Sequence, residues 1–334
     1  MTSKVRWSLP DGVDELLPPK ALEVEELRRK LLDEYFSKDY ELIIPPILEL
    51  SETIGGEAHD EIRSHAFSFK DNLTGKNLSI RPDISEQASR IDAFRIQSNE
   101  IVKLCYAGDV VKSRASKTFR SRTTIQVGAE IFGDPSIEAE LESINLMLRS
   151  IELSGINNTT LNIGHAGLIA SVLEPFTKLD KSEFSTLEKA LSQKSKNDLK
   201  KIVPDSFETK SSLLALCDMY GNKEIIDTAR KEFSYISSAK SSLDRLSNII
   251  DALESEGLED IHVDLGEVQG FKYHNGVVFS AYSNEAGYVL SKGGRYDGLR
   301  KADNESRPAV GFDLDLIAVT NLSLIHISEP TRLS

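Results

Sequence analysis

The chain has 334 residues, 40% of them hydrophobic, and 53 Asp and Glu against 40 Lys and Arg give it a net charge of -13. This length predicts about two domains with full cores, and the acidic balance excludes broad contact with a polyanion, because non-specific nucleic-acid affinity comes mainly from neutralising phosphates. The distant pair Cys105 and Cys217 excludes a CxxC zinc site and a disulfide framework. With no apolar h-region in Met1 to Pro10 and no run near the ~18 apolar residues of a membrane span, the chain is expected in the cytoplasm, without metal or cofactor.

In chain order, Val24, Leu27, Leu31 and Tyr35 recur at helical spacing and predict an amphipathic helix. A short apolar strand beginning at Tyr40 follows. It is broken by Pro45 and Pro46, which lack the N–H a ladder needs and favour an edge or an interface. Phe67 to Asp71, a turn over Asn72 to Gly75, and Asn77 to Arg81 read as a hairpin. Arg81-Pro-Asp-Ile-Ser then leads into a helix expected from Glu86 to Phe94, so Asp83 and Ser85 stand where caps are common.

The segment Leu104 to Gly133 carries the strongest pattern. Ile125, Val127, Ala129 and Ile131 alternate with Thr124, Gln126, Gly128 and Glu130, giving a strand with one apolar and one polar face. Gly128 lacks a side chain between Gln126 and Glu130, so a small polar ligand is expected to lie there between amide and carboxylate. Lys112, Arg114, Lys117, Arg120 and Arg122 crowd the preceding loop, which would suit an anion or form a solvated surface.

Ser136 is expected to cap a helix whose Leu141, Ile144, Leu148 and Ile151 form its buried stripe, and Thr159 to Ile163 returns as a strand. From Leu168 to about Gly257 the composition turns helical, and its lysines read as a solvated face. Strand character resumes at Ile261. His262 is expected half-buried on that strand, whereas His274, beside Tyr273 on a glycine-flanked turn, is the better ligand candidate. Gly293 and Gly294 are expected to let backbone approach a ligand closely.

Pro46, Arg81-Pro-Asp-Ile-Ser, Tyr106-Ala-Gly with Gln126-Val-Gly-Ala-Glu-Ile-Phe-Gly, Gly270-Phe-Lys-Tyr-His and Gly293-Gly-Arg-Tyr-Asp-Gly-Leu resemble, in order, the motifs of class II histidyl-tRNA synthetases. The resemblance covers most of residues 5 to 320. It implies an α+β fold: a class II aminoacyl-tRNA synthetase-like antiparallel sheet flanked by helices, with a helical insertion, dimerising through the first motif. The implied divisions are 1–164 and 259–321 for the synthetase-like domain, 165–258 for the insertion, and 322–334 for a non-native tail.

The departures bear on chemistry. Where the synthetase family places an arginine on the ATP α-phosphate, this chain has Lys112; Gln269 replaces the arginine of the histidine-specific loop; and Gly311 to Val319 contains no third-motif arginine. Guanidinium groups hold a bent triphosphate bidentately, and each preorganised donor lost costs on the order of 3 kcal/mol. Asp313 and Asp315 would also repel a triphosphate.

A synthetase fold with its amino-acid floor kept and its ATP clamps lost resembles the ATP phosphoribosyltransferase regulatory subunits, as do the glycine turn and the Leu9-Pro-Asp-Gly opening. That resemblance implies a chain with no catalytic activity of its own. It would assemble with a short catalytic subunit, activate it, and let histidine inhibit the first step of histidine biosynthesis. An active histidyl-tRNA synthetase and a stand-alone amino-acid sensor are the alternatives. The implied histidine pocket comprises Asp83, Ser85, Gln126, Glu130, Tyr273, His274 and Tyr296, with Glu130 or Asp83 meeting the α-ammonium and a ring meeting the imidazole; Asp83 replaces a family glutamate.

The ending Leu322-Ser-Leu-Ile-His-Ile-Ser-Glu-Pro-Thr-Arg matches an in-frame translation of a common sequencing adapter, so native sequence is expected to stop near Asn321. Resequencing the locus is expected to show a different continuation; an unbroken reading frame through this tail would refute that.

Overall fold

The computed structural model describes residues 8–54, 60–115, 121–204, 209–267, 274–283, 288–298 and 306–328. Helix α1 (Lys20–Phe36) buries the predicted stripe Val24, Leu27, Leu31 and Tyr35. It leads into β1 (Glu41–Leu42), a two-residue strand that stops short of Pro45 and Pro46. Strands β2 (Leu48–Leu50), β3 (Phe67–Lys70) and β4 (Asn77–Ile80) form a separate three-stranded sheet, with helix α2 (Asp60–His65) before β3. The predicted hairpin is β3–β4, closed by an Asp71 N–H bond to the Lys76 carbonyl at 2.8 Å. Helix α3 (Ser85–Ile91) passes into a π-helical turn at Asp92–Ile96, so the expected α-helix ends early.

The large sheet has nine strands. Their order is β1, β5 (Val102–Val111), β6 (Thr123–Phe132), β12 (Arg307–Asp315), β11 (Val289–Gly298), β10 (Val277–Ser283), β7 (Thr159–His165), β9 (Ile261–Asp264) and β8 (Tyr220–Gly221). Pairing is antiparallel except for β1 on β5 and β7 on β9. Alternation along each strand sorts side chains to two faces. On one face Cys105, Val127, Ala129, Phe312, Leu314, Phe279, Leu161 and Ile163 belong to the main core, covered by α1, α4 (Ile137–Leu153), α10 (Ser237–Ser255) and α11 (Leu316–Ser328). The register lines up Tyr106, Gly128, Asp313, Lys292, Ser280, Asn162 and His262 across the opposite face.

Between β7 and β9 the chain runs through α5 (Ala166–Leu173), a 3-10 turn, α6 (Lys181–Ser192), α7 (Lys196–Ile202), α8 (Lys210–Leu216), β8, α9 (Ile225–Glu232) and α10. The helices form because the segment is rich in helix formers, and α6 starts on a capping box between Asp180 and Glu183. The block's buried Leu187, Leu199, Leu213 and Phe233 continue into the core of the sheet.

Ser136 caps α4 as expected, accepting the Ala139 N–H. The buried stripe differs from the expected one: Ile144 and Ile151 are buried, but Leu141 and Leu148 are only half-buried, and Ala139, Glu140, Ser143 and Met147 take the inner face. Leu141 and Leu148 pack against the edge of the core, and the inner face also carries an ion cluster. Glu140, fully buried, pairs with Arg295 of β11 and with Arg245 of α10 at 2.9 Å, while Arg295 and Arg245 also donate to the Asp134, Ser136 and Pro135 carbonyls. These bonds tie sheet, α4 and α10 together. Removing one member of such a buried group leaves uncompensated charge. Glu140→Ala is therefore expected to destabilise the fold by about 3–5 kcal/mol, read as a lowered denaturant midpoint.

Candidate functional site

The polar face of β6, β12 and β11 carries the candidate site. Glu130 of β6 stands opposite Gly311 of β12, and a Cβ at Gly311 would lie 1.8 Å from Glu130 Oε2, so only glycine leaves room for the carboxylate. The carboxylate is 2% exposed. The Tyr296 hydroxyl donates to its Oε2 at 2.9 Å, and the Tyr106 hydroxyl donates to its Oε1 at 3.3 Å. Ser85 Oγ shares a 2.8 Å hydrogen bond with Tyr106. Three hydroxyls from α3, β5 and β11 thus converge on one buried acid.

Gly128 has a different role from the one its spacing suggested. A Cβ there would meet the Tyr106 hydroxyl at 2.4 Å and the Phe312 carbonyl at 2.5 Å. Tyr106 is its cross-strand partner, so the missing side chain admits a tyrosine from the next strand rather than a ligand against the sheet. The glycine pair of β11 is corrected likewise. A Cβ at Gly294 would lie 2.5 Å from the His274 ring, and one at Gly293 would strike the Gly311 carbonyl and Phe279, so both make room for protein atoms. His274 is seated by Gly294 and meets Tyr296 edge to face at 6.5 Å and 79°.

The remaining predicted residues divide by role. Gln126 is buried, and its Oε1 accepts the Ile84 N–H at 2.8 Å, which fixes the start of α3 against β6. Asp83 Oδ1 accepts the Ser85 N–H at 2.7 Å, the local turn expected of an aspartate at a helix entry. Arg81 lies behind them, donating to the Asp109 and Pro45 carbonyls at 2.7 and 2.8 Å. Tyr273 and Gln269 lie outside the described residues, as do Lys117 and Arg120. Lys112 is exposed, with its N–H bonded to the Arg122 carbonyl at 2.7 Å. Arg122 stacks on Phe67 at 4.5 Å and reaches the Asp11 carbonyl. The described arginine at the loop's end thus serves backbone and ring rather than an open anion site.

Sequence reasoning did not count Tyr106 as a site residue, although it lay within a quoted motif; its signal is a tyrosine across from a glycine, visible only once register is known. Asp313, read from sequence only as a repulsive charge, shares the polar face with Glu130 and pairs across the strands with Gly128.

Burial pushes Glu130 up to about 8, helped by the charges of Asp83 and Asp313 and opposed by bonds from Tyr296 and Ser85. Burial and Asp83 likewise raise Asp313 to about 6, against Lys292, Lys112 and a bond from Gln126. Both buried acids are thus shifted toward their neutral forms, Glu130 the further. Both acids are raised above their unfolded values, so their stabilisation is full at low pH and is lost as pH rises through about 6 for Asp313 and about 8 for Glu130. Each tenfold difference in proton affinity between folded and unfolded chain is worth roughly 1.4 kcal/mol, so wild type is expected to lose a few kcal/mol between about pH 5 and pH 9. Glu130→Gln should show a flatter profile and be the more stable protein at the alkaline end. Chemical denaturation across that range checks the sign.

The histidyl-tRNA synthetase family model matches residues 12–319. An ATP phosphoribosyltransferase regulatory subunit from Burkholderia cenocepacia is 36% identical over 321 residues, covering 96% of this chain and 83% of the relative. Among solved structures, an ATP phosphoribosyltransferase regulatory subunit/histidyl-tRNA synthetase from Bacillus halodurans superposes with a TM-score of 0.80 at 25% identity, over 95% of this chain and 83% of that one. A chain of the ATP phosphoribosyl transferase (HisG:HisZ) complex from Thermotoga maritima shares the fold with a TM-score of 0.62 at 18% identity, over 87% of this chain and 96% of that one. The large mixed sheet and the extent of these matches agree: the chain belongs to the histidyl-tRNA synthetase-like family of ATP phosphoribosyltransferase regulatory subunits.

Proposed function

We propose that this chain works as the non-catalytic regulatory subunit of ATP phosphoribosyltransferase, assembling with a short catalytic subunit, activating it and passing on feedback inhibition by histidine in the first step of L-histidine biosynthesis. The observation that carries this reading is the contrast within one sheet face. The amino-acid end keeps a buried carboxylate under the hydroxyls of Tyr296 and Tyr106. The end where a triphosphate would be clamped has an exposed Lys112 and the raised acid Asp313, with no arginine between Gly311 and Val319. Charge developing on an α-phosphoryl oxygen would meet a point charge and a carboxylate there, and that leaves little adenylation.

In this reading the α-ammonium of histidine pairs with Glu130, and the imidazole lies toward the rings of His274 and Tyr296. Because Glu130 is protonated near neutral pH, a bound ammonium displaces its proton. Histidine binding is therefore expected to release a proton and to tighten as pH rises toward 8. Calorimetry in two buffers of different ionisation enthalpy reads the proton directly. Glu130→Gln should weaken binding by roughly tenfold or more. Coupling to the partner of about 1–3 kcal/mol would give some 5- to 150-fold inhibition without a large rearrangement.

Self-association through the first motif also belongs to this proposal. Leu42, Ile44, Ile47 and Leu48 lie exposed around the edge strand β1, and Phe94, Ile96 and Ile101 are exposed on the chain between α3 and β5. An apolar edge of this kind invites a second copy. Ile44, 87% exposed, is the natural probe. Ile44→Glu is expected to shift the species from dimer to monomer in sedimentation velocity.

Co-expression with a short catalytic subunit tests the central claim: the two chains should co-purify, and the catalytic subunit should gain activity. Histidine-dependent ATP and pyrophosphate exchange by the chain alone, at ordinary synthetase rates, would overturn the regulatory reading in favour of an active synthetase. Histidine binding without any association would leave a stand-alone sensor.

A further inference from the structure

An amino acid carries three groups on its α-carbon, and the site as described provides for two of them. Glu130 faces the ammonium, and His274 and Tyr296 face the ring. The surroundings of the third, the carboxylate, follow from strand register. Gly311 of β12 pairs with Glu130, and Asp313, two residues further along, pairs with Gly128. Side chains two apart on a strand share a face, so Asp313 stands on the face of the Glu130 carboxylate, roughly 7 Å further along β12. Gly128 puts no side chain beside it. The Tyr106 hydroxyl of the next strand fills that gap, 2.4 Å from where a Cβ at Gly128 would lie.

The charges gathered there have one sign. Glu130, Asp313 and Asp83 all act on the Tyr106 hydroxyl, and Asp83 and Asp313 also act on each other's neighbour Glu130. The cations that act on Asp313 are Lys292 and Lys112, and both are exposed, where water screens them. Asp83 and Asp313 are half-buried, so each keeps an open side, whereas Glu130 is 2% exposed. Burial pushes Asp313 up to about 6 and Glu130 up to about 8, so Asp313 is the first of the two to charge as pH rises. An ammonium bound at Glu130 favours the charged form of Asp313 further. Its remaining bond comes from the Gln126 side chain, an amide donor.

We propose that Asp313 is a specificity-determining residue of the amino-acid site: with the ammonium at Glu130 and the ring toward Tyr296, the carboxyl end of the ligand turns along β12 toward Asp313 and Asp83, and the site takes an imidazole amine with a neutral carboxyl group more tightly than free histidine. This rests on the reading of the pocket as a histidine site. A primary amide in place of the carboxylate has N–H groups to donate to Asp313, whereas a carboxylate has only acceptors and repels it. Free histidine is then sensed only at high concentration, which suits an end product that acts in excess. Asp313 thereby sets the threshold of the response.

The test compares L-histidine with L-histidinamide, which differ only in carboxylate against amide, by calorimetry on the full-length chain at pH 7 and constant ionic strength. The amide is expected to bind at least roughly tenfold more tightly, the effect of one like-charge contact in a partly desolvated site. Asp313→Asn should remove most of that difference by tightening histidine, with the affinity for the amide little changed. A merely structural role of Asp313 would move both ligands alike. Histidine bound as tightly as the amide by the wild type, or a variant that leaves the ratio of the two affinities unchanged, would overturn the proposal and leave the histidine site standing. Binding of neither ligand would remove the site itself, and the proposal with it.

Discussion

A carboxylate taken out of water is the constraint around which this site is arranged. Glu130 can sit at the centre of the sheet only because Gly311 leaves the space and because hydroxyls from β11 and β5 reach its two oxygens. Desolvation favours the neutral acid, and the neighbouring Asp83 and Asp313 push the same way. The group is therefore held in reserve: neutral without a cation beside it, and able to ionise when one arrives. Such an acid suits recognition of an ammonium, whereas forming an adenylate needs fixed positive charge close by.

A triphosphate site depends on planar cations in fixed geometry; of the described arginines of the basic loop, Arg122 stacks on Phe67 and bonds to backbone, and Arg114 is exposed. Asp313 adds negative charge on the strand next to Gly128. Glu130 and Asp313 thus give this face two buried acids, both raised by desolvation.

The ion cluster of Glu140, Arg295 and Arg245 ties the site strand to the helical block. Arg295 is the neighbour of Tyr296, which holds Glu130, and Arg245 belongs to α10 of the helical block. The Arg295 carbonyl also accepts the Asn275 N–H at 3.0 Å, next to His274. Site strand, glycine turn and helical block are thereby joined through one buried acid.

By itself the sequence determined the elements and the kind of site. Periodicity in α1, the β3–β4 hairpin and the alternation in β6 follow from local side-chain patterns; Gln126 and Glu130 were legible on the polar face of a strand and His274 on a glycine-flanked turn, whereas Tyr296 came only with the family resemblance. Tertiary structure decided which of them meet. Register placed Tyr106 over Gly128 and Glu130 over Gly311, turning presumed ligand space into room for protein atoms. It likewise widened the buried face of α4 to include Glu140, which pairs with arginines from two distant segments, while Leu141 and Leu148 pack half-buried against the core. Strand pairing and buried charge are long-range: their energies depend on partners tens to hundreds of residues away, and no local pattern records them.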